Sequence, residues 1–489
     1  MSKFYIGIDI GTTSIKLTAV DQKMKVLADL QYNYHYLTPK ENFNEIEPDM
    51  WLKIVMKGLK KLFQQFSPDF IASIGITGQM HTTVFVDQNK QAIRPAILWN
   101  DTRTQEMIPE IKKQLQQTSR SAPIAKIVST GSPLANLLWL KEKEFESYRK
   151  IHKVLIAKDY LVLKLTGTYS TDYCDASTSS FFDLYQDQWS QEVVQIFDLP
   201  EEIFPVIHYS SKRVGMLTKE IQKKLGINAA IPVVAGTGDN VASALVSGCF
   251  SNHQPLISLG TSGVVAVPNE RHYLKETGKN VVTKIQASDN SILTQGTVQA
   301  GAKVNSWWTE NILHTDDFFG EQGKIPSSLI GKNNVLFFPH LNGEKTLYAS
   351  PQLRGAFAEL SLDTTREAMY LAVLEGLAFG IRRLYEAMKN KEAPSYFSIV
   401  GGGAKSKLWI QLFANILQTP IKRINTSQEA VHGAALLAIL GVNDFSDIEH
   451  SDYQMIQPQT QLISSYEEKY QNYLRLANLI FDYTESLNL

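Results

Sequence analysis

Residues 6–14, Ile6-Gly7-Ile8-Asp9-Ile10-Gly11-Thr12-Thr13-Ser14, return in altered form as Leu256-Ile257-Ser258-Leu259-Gly260-Thr261-Ser262-Gly263. Each copy is an apolar, β-branched run broken by a Gly-Thr turn, the pattern of a strand entering a tight hairpin. The two turns stand 249 residues apart in a chain of 489, so two similar halves are expected. Around the first copy, Phe4 to Ile10, Ile15 to Val20 and Val26 to Tyr34 read as three strands joined by short turns. Trp51, Ile54, Val55, Gly58, Leu59, Leu62, Phe63 and Phe66 then recur at helical steps, and Phe70 to Thr77 reads as a buried strand.

Hairpin, third strand, crossover helix and returning strand form the order of a ribonuclease-H-like α/β half. Two more strand-like runs end in glycines: Pro232-Val233-Val234-Ala235-Gly236-Thr237-Gly238-Asp239 and Phe397-Ser398-Ile399-Val400-Gly401-Gly402-Gly403-Ala404. In open α/β sheets, ligands bind at such carboxyl-end turns. Thr364-x-x-Glu367 predicts a capping box for a long helix through Met388, and Thr426-x-x-Glu429 one for an Ala-rich helix ending at Gly441. A last helix is expected over Tyr466 to Leu487. No low-complexity linker is present, so the division is expected near residue 246, as domains 1–246 and 247–489.

Composition narrows the function. Apolar residues make up 44% and charged residues 20%, which excludes wholesale disorder. A net charge of -1 offers no overall positive field for nucleic acid or anionic lipid, so small-molecule partners are expected. Cys174 and Cys249 cannot build a disulfide framework or a four-cysteine metal site. The start MSKFYIGIDIG has no signal-peptide features and no window suits a spanning helix, so a cytoplasmic protein away from membranes is expected.

Gly11-Thr12-Thr13 and Gly260-Thr261-Ser262 place small residues where backbone N–H groups can approach phosphate oxygens. Neither is a Walker loop, and no G-x-G-x-x-G follows a strand. Asp9 lies in an apolar strand two residues before the first turn. A buried carboxylate there is either hydrogen-bonded structurally or meets a cation, and the adjacent phosphate turn favours Mg²⁺ held through water. Asp239 reads as a helix N-cap and also as a base that accepts a proton from a substrate hydroxyl during phosphoryl transfer. Gly78-Gln79-Met80-His81 and Trp99-Asn100-Asp101-Thr102-Arg103 gather donors and acceptors suited to a polyhydroxylated substrate.

In this order and spacing these segments resemble the FGGY carbohydrate kinases over nearly the whole chain, most closely those acting on xylulose. The resemblance implies two ribonuclease-H-like, actin-like ATPase domains flanking a deep catalytic cleft. It implies sugar on the N-terminal side, ATP on the C-terminal side, Asp239 as catalytic base and Asp9 orienting metal and phosphates. Met80, His81, Asp239 and Asn240 match sugar contacts, joined by Trp99, Asn100 and Asp101. Gly11, Thr12 and Thr13 would face the transferred phosphoryl group, and Gly260 and Thr261 the nucleotide phosphates. Gly301, Asn305, Gly402, Gly403, Ala404 and Lys407 match the nucleotide site. The chain departs from the family at Asn136, where Lys is common, and at Glu359, where a signature has glycine. Gluconate is the alternative sugar, because the loop around Tyr36 to Pro39 resembles gluconate kinases. An actin-like or chaperone-type ATPase is the alternative of another class, and it leaves the Met80 and Trp99 groups unexplained. Oligomeric state stays open, with a homodimer as the candidate.

Overall fold

The structure, a computed structural model, describes residues 3–249, 254–270, 277–289, 291–389, 393–424, 430–443 and 453–487. The chain forms two compact units. The first comprises 1–246, 281–291 and 428–450, and the second comprises 247–280, 292–427 and 451–489. The long first segment ends at residue 246, where the division was expected, and two later segments return to the first unit.

In the first unit, β1 (Phe4–Ile10), β2 (Ser14–Val20) and β3 (Val26–Asn33) form a meander, followed by α1 (Asp49–Phe63) and β4 (Ile71–Gly78). β5 (Arg213–Met216), β6 (Pro232–Val234) and α2 (Asp239–Val246) complete the core. The sheet runs β5-β6-β4-β1-β2-β3, with β1 antiparallel to β2 and parallel to β4. Alternation along the strands puts Ile8, Ile76 and Leu17 on one face and the register pair Gly7 and Gly75 on the other. Trp51, Val55, Gly58, Leu59 and Leu62 of α1 are buried, and Gly58 lies so close to Leu17 that a Cβ there would stand 2.7 Å from its methyl.

The opposite face explains the second returning segment. The helix Ala430–Leu440 is apolar except for His432 and buried at every residue, as a helix packed all round must be. A Cβ at Gly75 would lie 1.9 Å from the Ala434 carbonyl oxygen, and one at Gly433 would lie 2.1 Å from that of Ala242 in α2. Glycine on both surfaces lets this helix sit directly between the sheet and α2, which draws it into the first unit. The expected Thr426 to Glu429 cap lies outside the described residues.

The second unit repeats the plan with β7 (Leu256–Leu259), β8 (Gly263–Glu270) and β10 (Ser291–Val298), while β9 (Lys279–Thr283) spans the point at residue 281 where the chain passes into the first unit's segment 281–291. Then come α3 (Arg366–Met388), β11 (Phe397–Val400), α4 (Lys407–Leu417), β12 (Ile421–Ile424) and β13 (Tyr453–Ile456). The order is β9-β10-β8-β7-β11-β12-β13, with β7 antiparallel to β8 and parallel to β11. Its central path β10-β8-β7-β11-β12 matches β3-β2-β1-β4-β6, so the two-halves expectation and the ribonuclease-H-like fold hold. The capping-box expectation shifts by one residue. Thr364 accepts from the Ser361 backbone N–H, which leaves Thr365 to cap α3 through the Ala368 N–H.

Candidate active site

The first Gly-Thr turn is held from three sides. Gly11 N–H donates to Ser14 O at 3.0 Å, the Tyr34 hydroxyl donates to Gly11 O, and the Trp99 indole N–H donates to Thr12 Oγ1 at 3.0 Å. Burial holds the Tyr34 phenol well above its ordinary range, so it remains a donor. Asp9, partly exposed at the end of β1, lies across from Lys16 in the hairpin register and from Thr77 in β4. No cluster of three or more His, Cys, Asp or Glu side chains suited to a metal occurs among the described residues. A single carboxylate beside a glycine turn fits a divalent cation held through water better than a protein cage.

A small four-stranded sheet, containing Thr83–Val86 and Ala96–Ile97, carries the sugar-suited segments. Met80 is nearly buried, and its sulfur accepts from Asn240 Nδ2 at 3.7 Å. His81 sits at φ +70°, a left-handed conformation that concentrates at functional positions in non-glycine residues. Trp99 is 49% exposed despite its size, and Asn100 Oδ1 is buried without a hydrogen-bond donor among the described residues. Asp101 is different. At 1% exposure, it accepts from Asn44 N–H, Arg103 N–H and the Arg103 guanidinium, so it braces the loop that carries Trp99 and Asn100.

Asp239 opens α2 as its first residue, beside the exposed Asn240. The helix N-terminus and a 2.7 Å bond from the Asn240 N–H favour the carboxylate, yet desolvation outweighs them and lifts the carboxyl to about 6. A base poised near neutrality can take a hydroxyl proton and release it later. The preceding turn needs glycine: Gly236 has φ +79°, and a Cβ there would stand 1.9 Å from Ile76 O.

Beneath that turn lies a group that sequence reasoning missed. Lys158, fully buried, meets Asp159 at 2.6 Å, Asp172 at 3.1 Å and Asp175 at 3.3 Å, and donates to Ala235 O at 3.4 Å. Burial pulls the Lys158 ammonium down, but the three carboxylates more than offset it and hold it well above its ordinary range. Burial raises Asp159 and Asp175. Asp172 also accepts from the Ser210 hydroxyl, and Ser210 O accepts from Gly236 N–H, so the ions brace the segment leading to Asp239. The available signal was charge inside apolar stretches, Lys158-Asp159 and Asp172 to Asp175.

In the second unit, Gly260 O accepts from Ala302 N–H at 2.9 Å. Gly301, at φ +44°, packs so closely on Ser262 that a Cβ would lie 2.1 Å from its carbonyl carbon. Thr261 is exposed, and a Cβ at Gly402 would meet nothing within 4 Å, leaving open backbone for a ligand. Gly403 lies partly covered between Leu259 and Trp409, and Lys407 is an exposed first residue of α4. The Ala404 side chain is buried in the core. The Asn305 side-chain oxygen is already engaged by Tyr370 and Gln322. Of the departures from the family, Asn136 is buried and donates to Thr83 Oγ1 and to Gly131 O. Glu359 sits at φ +61°, which explains why glycine suits that position.

A poised carboxyl among sugar-suited groups on one ribonuclease-H-like unit, with glycine turns on its repeat, defines an ATP-dependent sugar phosphotransferase. Models of the N-terminal and C-terminal domains of the FGGY family of carbohydrate kinases match residues 4–246 and 256–442. The chain belongs to that family. It is 32% identical to the xylulose kinase of Staphylococcus xylosus, over 98% of this chain and 100% of the relative. A solved xyloylose kinase from Brucella ovis superposes with TM-score 0.86 at 29% identity, over 98% and 99% of the two chains. A gluconate kinase structure from Lactobacillus acidophilus gives TM-score 0.85 at 24% identity, covering both chains fully, a likeness of fold alone.

Proposed function

We propose that this kinase phosphorylates D-xylulose to D-xylulose 5-phosphate. The observation that carries the mechanism is Asp239, lifted to about 6 beside Met80 and Asn240. Its carboxylate takes the proton of the sugar's primary hydroxyl. The oxygen attacks the γ-phosphorus of ATP, the bond to the β,γ-bridging oxygen breaks, and ADP leaves. Asn100 Oδ1, His81 and the Trp99 ring orient the sugar, while Thr12 and Thr13 face the transferred phosphoryl group and Gly260 and Thr261 the nucleotide phosphates. Asp9 would hold Mg²⁺ through water, and that ion, when bound, neutralises charge developing on the phosphoryl oxygens. A cytoplasmic enzyme that works as a homodimer completes the reading. The identity to a xylulose kinase over nearly the whole of this chain supports xylulose in particular.

A coupled ADP-release assay over ketopentoses, polyols and aldonates tests this. D-xylulose should give the highest kcat/KM. Gluconate as the best substrate would overturn the sugar assignment and leave the phosphotransfer chemistry standing.

A further inference from the structure

Five buried or nearly buried polar groups in the second unit form a one-way chain. Ser406 caps α4, its hydroxyl oxygen accepting the Trp409 backbone N–H at 3.1 Å. A backbone N–H can only donate, so the single Ser406 proton is directed outward, to Gln322 Oε1 at 2.5 Å. That fixes the Gln322 amide: its Nε2 faces Asn305 Oδ1 and donates at 3.4 Å. The Tyr370 hydroxyl donates to the same oxygen at 2.6 Å. Burial pushes the Tyr370 phenol up to about 12, so it stays a donor at neutral pH. Two donors on Oδ1 turn the Asn305 amide so that Nδ2, which makes no hydrogen bond with the described residues, is the group left for a ligand.

The chain joins two segments that are far apart in sequence. Asn305 follows the Gly301 turn, and Ser406 follows Gly402 to Lys405, the two stretches expected to hold the nucleotide. Asn305 O also accepts from Thr309 Oγ1 within a π-helical turn over Trp307–Ile312, a local geometry frequent at functional sites.

We propose that Tyr370 and Gln322 are positioning residues that orient Asn305 to donate to an acceptor on the nucleoside part of ATP. The inference rests on the reading of this unit as the nucleotide-binding one. Neither residue touches the ligand. Both act through Asn305, which gives them a signature that a purely structural role lacks.

The experiment measures ATP dissociation constants by calorimetry on the full chain, with melting temperatures alongside. Tyr370→Phe and Gln322→Met should each weaken ATP binding roughly 2- to 10-fold, the worth of one net hydrogen bond. They should raise KM for ATP while moving kcat less than twofold. In an Asn305→Ala background neither should have further effect, because the donor they orient is gone. Unchanged affinity in both single variants overturns the proposal, as does a full additive loss in the Asn305→Ala background. Gln322→Glu offers a second variant of equal size should Gln322→Met fold poorly, with the same weakening expected. Wild-type protein that binds ATP but phosphorylates no sugar would sink the functional reading and leave this comparison intact. Wild-type protein that binds no ATP overturns both.

Discussion

The two ligand-facing regions are built from the same strand order yet braced by opposite chemistry. The turn ahead of Asp239 rests on a buried ammonium among three carboxylates. The glycine turns of the second unit are tied by neutral amides and hydroxyls. Buried ions are expensive to desolvate and costly to leave unpaired, whereas neutral hydrogen bonds exchange with water at little net change. The ionic brace therefore concentrates its stabilisation in one residue, and the neutral chain spreads it over several. A rigid, desolvated seat suits the unit proposed to hold the base.

The widest contrast comes from Asp239→Asn. Transfer should fall about 10²- to 10⁴-fold in a coupled ADP assay, with ATP affinity by calorimetry largely kept. Near-normal turnover would remove Asp239 from the role of base. In the wild type, kcat/KM should rise with pH through about 6 as the carboxyl deprotonates. The same raised value means the folded state holds this proton more tightly than the unfolded chain, so its contribution to stability is lost as pH rises through about 6. Asp239→Asn should then be no less stable than the wild type at pH 8.

Lys158→Met comes next, with an expected loss of about 3–5 kcal/mol in chemical denaturation, because three buried carboxylates lose their counter-ion. Without the ammonium, Asp159 and Asp175 move further above their ordinary range and the folded variant binds more protons than the unfolded chain. Its deficit should therefore shrink as pH is lowered from 8 towards 5. A deficit that does not change with pH would show that packing, and not charge, is what Lys158 supplies.

The neutral side should respond least. Ser406→Ala removes the cap of α4 and is expected to cost about 1 kcal/mol by the same denaturation measurement. A loss as large as that of Lys158→Met would erase the contrast between the two braces.

Strand and helix identities are governed by local periodicity, which is why Phe4–Ile10 and Phe397–Val400 emerge where alternation and β-branching place them. The turns are legible for the same reason, since Gly236 and Gly401 occupy left-handed conformations that favour glycine. Asp9 and Asp239 stand out because a carboxylate at the end of an apolar strand is unusual. The enclosure of Asp101 and Ala404 was not legible, because nothing local distinguishes an accessible side chain from one already enclosed.

The sequence by itself determined two repeated α/β halves, the glycine turns that end their strands and the carboxylates beside them, because these follow from short-range sterics and hydrophobic period. Only the tertiary structure decided that Ala430–Leu440 seats on the first unit's glycine face, that Lys158 gathers Asp159, Asp172 and Asp175, and that Asp239 is lifted to about 6. Each of those depends on which distant segments exclude water from a given atom, a quantity that no local stretch of chain contains.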